Sequence, residues 1–141
     1  MDILGSIIAG LVGTLLMTLL MYMAPSMGMP KMDIIGMLGT MFTSGERAAR
    51  ALGTVMHFMM GAVFGIAYAF LWNVGVGSPT WVWGLIFGAG HTVVALLTMP
   101  LMMGMHPRPP EMESGPRMML GSLMGHLVFG LVVALVYQAF I

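Results

Sequence analysis

Residues 52–65 read LGTVMHFMMGAVFG, an apolar run that holds His57 between two glycines, Gly53 and Gly61, each one helical turn away. Much of the pattern returns at residues 120–130, LGSLMGHLVFG, around His126 and Gly130. A third histidine, His91, sits in GLIFGAGHTVV. Working outward, both runs lie inside longer apolar segments, and length decides what such segments are. A helix needs about 20 apolar residues to cross a bilayer. Four segments reach that length, near 3–24, 49–72, 80–103 and 117–140. Backbone groups in hydrocarbon need partners within the segment, which excludes open strands and predicts helices.

Composition agrees. Of 141 residues, 59% are hydrophobic and 7% charged; the mean hydropathy is +0.97. A soluble domain carries roughly 25% charged residues, so this chain has too few to cover a watery surface. The expected partners are the lipid bilayer and then other membrane protein subunits, or a homo-oligomer. Net formal charge is zero with only five basic residues, which argues against nucleic acid. With no cysteine, disulfides, thiolate metal sites, CxxCH haem attachment and a cysteine nucleophile are excluded. There is no GxSxG, Walker loop, HExxH or carboxylate pair in the apolar segments, so a stand-alone enzyme is not expected.

The charges predict orientation. Lys31, Arg47, Arg50, Arg108 and Arg117 all fall in or beside the first and third connections. The positive-inside rule then places connections 25–48 and 104–116 in the cytoplasm and both termini outside, in the inner (cytoplasmic) membrane. The first segment has neither a basic n-region nor an A-x-A-like site and reads as a retained helix. Within the first connection, residues 32–42 (MDIIGMLGTMF) are apolar but too short to span. They predict a short interfacial helix, or one dipping back against the bundle. Asp33 is expected to cap it and Glu46 to pair with Arg50 one turn on. The third connection should be stiff and extended at Pro107, Pro109 and Pro110, with His106 solvated. Tyr68, Trp72, Trp81, Trp83 and Tyr137 read as an aromatic belt. Pro25 and Pro100 are expected to kink their helices.

The halves resemble each other. Pro25-Ser-Met-Gly-Met29 closes the first apolar segment and Pro100-Leu-Met-Met-Gly-Met105 the third, while the histidine runs open the second and fourth. A two-helix hairpin repeated at roughly 70–75 residues explains this. Each unit crosses twice, so the copies relate by a pseudo-two-fold along the membrane normal. The fold class read from sequence is therefore all-α: one four-helix membrane bundle over 1–141, two repeated hairpins plus a short interfacial helix. Glycines at small-xxx-small spacing, such as Gly61/Gly65, Gly84/Gly88 and Gly121/Gly125, suit close helix contact.

Counting 1.5 Å per residue from the basic end places His57 roughly 12 Å, His126 roughly 15 Å and His91 roughly 18 Å deep. An unpaired polar group at that depth costs several kcal/mol, so each ring needs a partner. Four readings are open. His57 and His126, with His91 nearby, could ligate haem b, with Gly53, Gly61 and Gly130 making room for the porphyrin and Arg47, Arg50 or Arg117 meeting propionates. Copper suits imidazole with thioether, from His57, His91, His126, Met17, Met56, Met60 and Met124, fed by Met27-x-Met29-x-x-Met32 and Met102-Met103-x-Met105-His106. The histidines could instead bond Thr14, Thr18, Thr54, Thr92 or Ser122 in a cofactor-free structural or assembly subunit. A small transporter with Asp33 or Glu113 at its mouth is the fourth; the lack of a mid-membrane charge counts against it. The reading taken forward is a haem-like or transition-metal cofactor in a small subunit of a respiratory, photosynthetic or oxidase-type complex serving electron transfer.

GMPKMDIIGMLGT (28–40) ahead of the LGxxMH helix, and MHPRPP (105–110) ahead of GHLVFG, are similar to a family of small bacterial four-helix membrane proteins of unknown function. The resemblance covers nearly the whole chain. It implies the architecture and carries no chemistry.

Overall fold

A computed structural model describes residues 1–111 and 115–141; Glu113, the candidate mouth residue, lies outside the described residues. The described chain is helical, without strands. Helix α1 (Ile3–Met23) starts at Asp2, whose side chain accepts from the Gly5 N–H. A 3-10 turn over Ala24–Met27 ends at Gly28, where φ is +79°; glycine takes this left-handed conformation without a Cβ penalty. Helix α2 (Ile34–Thr40) is capped by Asp33, which accepts from Gly36 N at 2.9 Å. Helices α3 (Glu46–Asn73), α4 (Trp81–Met105) and α5 (Pro116–Gln138) follow. Thus α3 begins before the expected residue 49, and α4 continues through Pro100 to Met105.

Four helices are long and apolar enough to cross a membrane, which fits a multi-pass membrane protein. They pack in the order α3, α1, α5, α4, while α3 and α4 make little close backbone contact. Glycines set the two hairpin crossings. A Cβ on Gly10 of α1 would lie 2.2 Å from Gly61 O of α3, and one on Gly130 of α5 would lie 2.1 Å from Gly84 O of α4. The backbones touch where only hydrogen fits, and dispersion gathered over such a contact is what joins helices in lipid. The repeat is therefore visible inside each hairpin. Between hairpins it departs from a two-fold: α1 packs on α5, but α3 does not pack on α4 in the same way.

The gap between α3 and α4 is treated differently at its two ends. Toward the termini it is filled by rings: Trp72 lies stacked between Phe87 (centroids 5.6 Å apart) and Tyr137 (5.7 Å), and Tyr68 meets Phe87 edge-on at 5.1 Å. Tyr68, Trp72 and Tyr137 are buried. They belong to the core and not to the expected belt, whereas Trp81 is 60% exposed and suits an interface. The cause is the gap itself, which only large flat side chains can bridge.

At the basic end, α2 closes the bundle. It docks on the start of α3, where Cβ atoms on Gly39 and Gly53 would strike Ala49 O and Ile35 O. Ile35, Met37 and Leu38 are buried, so of the two expectations for 32–42 the segment dips against the bundle. His106, expected in solvent, is 6% exposed. Its Nε2–H donates to Met37 O at 2.9 Å, and its Nδ1 accepts from Arg108 N at 3.0 Å. The Arg108 guanidinium donates to Thr40 O at 2.9 and 3.2 Å. The proline-rich connection thereby satisfies carbonyls that a helix end leaves free. Arg50 pairs with Asp33 at 2.5 Å and not with Glu46, because Asp33 is fixed as the α2 cap beside it. Burial pushes the Asp33 carboxyl up, but the Arg50 hydrogen bond, the Gly36 N–H and the charges of Arg50 and Lys31 outweigh that, and its pKa falls below the ordinary carboxylate value.

Candidate functional site

His57 of α3, His91 of α4 and His126 of α5 line one cavity of about 130 Å³, bordered by all five helices. Seven methionines share the lining: Met17, Met21, Met32, Met37, Met60, Met99 and Met102. Among the described residues, no Asp, Glu, Lys or Arg lines it. The His91 and His126 rings stand 4.5 Å apart between centroids, tilted by 58°. Phe64 covers His91 at 3.8 Å.

Each ring is anchored through one nitrogen. The Thr18 hydroxyl spends its proton on Thr14 O at 2.6 Å, so it accepts from His57 Nε2–H at 3.1 Å and His57 Nδ1 keeps its lone pair. His126 Nδ1 lies 2.8 Å from Ser122 O; a carbonyl only accepts, so the proton is on Nδ1 and the Nε2 lone pair is free. His91 Nδ1 is 3.4 Å from the Tyr68 hydroxyl, and among the described residues its Nε2 has no hydrogen-bond partner. The committed Thr18 hydroxyl and the Ser122 carbonyl fix the tautomers of His57 and His126, and the Tyr68 hydroxyl orients the His91 ring, as second partners do for histidines that ligate metals. Thr14, Thr54 and Thr92, also named as partners, bond carbonyls of their own helices instead.

The methionines divide. Met17 and Met60 line the cavity; Met56 does not, and Met124 lines a neighbouring cleft with Met21 and Met32. Spacing missed Tyr68, although His57, Gly61, Phe64 and Tyr68 follow one another at three- and four-residue steps on one face of α3. It also missed Met21, Met37 and Met99, whose approach depends on how α2 and α4 dock.

The glycines expected to make room for haem are otherwise occupied. Gly53 is filled by Ile35 O, Gly61 by Thr14 and Gly10, and Gly130 by Gly84 and Gly88. A cavity of about 150 Å³ holds a benzene molecule; 130 Å³ does not admit a porphyrin between His57 and His126. Haem does not fit these residues as they stand. For an ion, no three His, Asp or Glu side chains among the described residues gather closely enough to hold one by themselves. The other potential side-chain ligands in the lining are the methionine thioethers and the hydroxyls of Thr14, Thr98 and Ser122.

A family model of unknown function, DUF6789, matches residues 1–141. The chain belongs to this family. No curated protein and no solved structure matches it. Membership in DUF6789 agrees with the resemblance drawn from 28–40 and 105–110 and brings no function with it.

Proposed function

We propose that the protein is a membrane-embedded Cu(I)-binding protein, the ion held between His91 and His126 with thioether ligation from Met17 or Met60. One observation carries this reading: anchored imidazoles from separate helices border one methionine-lined cavity with no charged side chain among the described residues of its lining. The chemistry of that donor set selects the ion. Thioethers favour soft Cu(I), and imidazole accepts it as well. The cost of taking an ion out of water grows with the square of its charge and is of order 20 kcal/mol even for a monovalent ion. With no carboxylate to offset it, a divalent ion is disfavoured. The basic end, by the positive-inside rule, faces the cytoplasm and the termini face out.

The test is metal content and coordination. The full chain in lipid nanodiscs is loaded anaerobically with Cu(I), desalted and assayed. Retained copper with mixed nitrogen and sulfur ligation by X-ray absorption, whose nitrogen contribution is lost in H91A and H126A, supports the reading. No retained copper, or a Soret band in the protein as purified, overturns it.

The bonds of His57 to Thr18 and of His91 to Tyr68 favour a second reading, a cofactor-free structural subunit in which the histidines join α3 to α1 and α4 to α3. It requires that His→Ala variants lower thermal stability while the wild-type protein retains no metal.

A further inference from the structure

Beside the histidine cavity lies a second, smaller cleft bordered by Met21, Met27, Met29, Met32 and Met124, with no side-chain nitrogen or oxygen among the described residues of its lining. Met21, Met32 and Gly121 border both spaces. The face of α5 toward them is bare. A Cβ on Gly121 would lie 3.1 Å from Met32 Sδ and 3.7 Å from Met29 Cε. One on Gly125 would lie 3.5 Å from Met17 Cε and 3.9 Å from Met21 Cγ. The side chains of Met29, Met32, Met21 and Met17 therefore follow one another along two glycines, and the series ends at the cavity that His126 borders. Its other end is open: Met27, in the 3-10 turn at the basic end, is 58% exposed.

We infer that this cleft is a second, all-thioether Cu(I) site and the route by which the ion enters the histidine cavity. The inference rests on the Cu(I) reading of that cavity. Entry is ligand exchange. One thioether–copper bond forms as the previous one breaks, copper stays Cu(I), and no proton or electron moves. Thioethers are neutral and flexible, so the ion is passed without a charged group being buried. The bare face of α5 leaves the methionine termini room to turn. Packing alone would account for methionine here equally well with leucine, since Leu and Met exchange at little cost in apolar surroundings. That equivalence supplies the test.

Cu(I) is offered as its bicinchoninate complex, anaerobically, to the full chain in nanodiscs, and uptake is followed by loss of the complex's colour. Three proteins are compared: wild type, M27L/M29L/M32L and H91A/H126A. The wild type should take up two ions. The triple leucine variant should take up one, at least about tenfold more slowly, with mixed nitrogen and sulfur ligation. H91A/H126A should also hold one, in sulfur-only ligation. A triple leucine variant that loads as fast and as fully as wild type overturns the route while leaving the histidine site standing. A wild type with sulfur-only copper, unchanged in H91A/H126A, overturns the histidine site and keeps the cleft. Equal melting temperatures of the wild type and the triple leucine variant exclude misfolding as the cause of slow uptake.

Discussion

The two hairpins share one crossing and put it to different uses. In α1/α3, Gly10 meets Gly61; in α5/α4, Gly130 meets Gly84. Their equivalent histidines part company. His57 reaches across to Thr18 and ties two helices together, while His126 turns back to its own Ser122 carbonyl and leaves Nε2 for the cavity. The difference follows from what each hairpin packs against. The first carries α2, which fills Gly53 and closes the basic end; the second has Ser122 at the equivalent place and faces the methionines of α1. The two crossings are alike, and α2, which docks beside the first alone, helps border the cavity.

The comparison breaks most visibly at the crossings. Gly10→Val and Gly130→Val must each force two backbones apart, and overpacking of this kind costs about 3 kcal/mol or more. Both variants should lose most of their folded population on detergent thermal unfolding. A tolerated Gly130→Val would mean that the second crossing is not equivalent to the first.

The next effect separates the paired histidines. His126→Ala should weaken copper retention at least about tenfold, the scale of a lost ligand or its support. His57→Ala should keep the copper and lose about 0.6 kcal/mol of stability, the mean for an interhelical hydrogen bond in a bilayer. Equal copper loss in both would return them to equivalence.

His106→Ala tests the docking of α2. It removes the shorter of two hydrogen bonds to the Met37 carbonyl, which keeps the Thr40 hydroxyl at 3.3 Å, a cost of about 1 kcal/mol. Amide exchange across 34–40 should accelerate while α4/α5 stays protected.

The smallest effect is at Asp33. Its folded-state pKa is depressed, so its contribution is complete above the unfolded carboxylate value near pH 4 and disappears as pH falls through the lower folded value. The pair is partly exposed, 44% at Arg50 and 31% at Asp33, so solvent screening keeps the effect under about 1 kcal/mol. Asp33→Asn should flatten the acid limb of a stability–pH curve; an unchanged limb would mean that another group carries it.

Much of the frame could be read from the chain. The apolar lengths required four spanning helices, the small-xxx-small glycines marked the crossings, and Asp33 was recognisable as a cap because an acid precedes an apolar helical run. The site was legible only in part. Depth counting brought His57, His91 and His126 to one level, because rise per residue is fixed in a helix. It could not give ring direction, so Gly53 and Gly130 looked like room for a cofactor when neighbouring backbones fill them. His106 looked solvated because a Pro-rich connection gives no sign of the carbonyls it will meet. Trp72 and Tyr137 looked interfacial because their burial depends on the distance between α3 and α4.

Sequence alone determined that this chain has four helices long and apolar enough to cross a membrane, with its basic residues at one end and three imidazoles at middle depth. Those follow from chain-local quantities: apolar length, charge placement and helical rise. Tertiary structure alone decided that α3 stands off from α4, that α2 caps the space between them, and that methionines from α1, α2, α3 and α4 line it. These depend on which glycines let which backbones touch, a property of pairs of helices that no single helix carries.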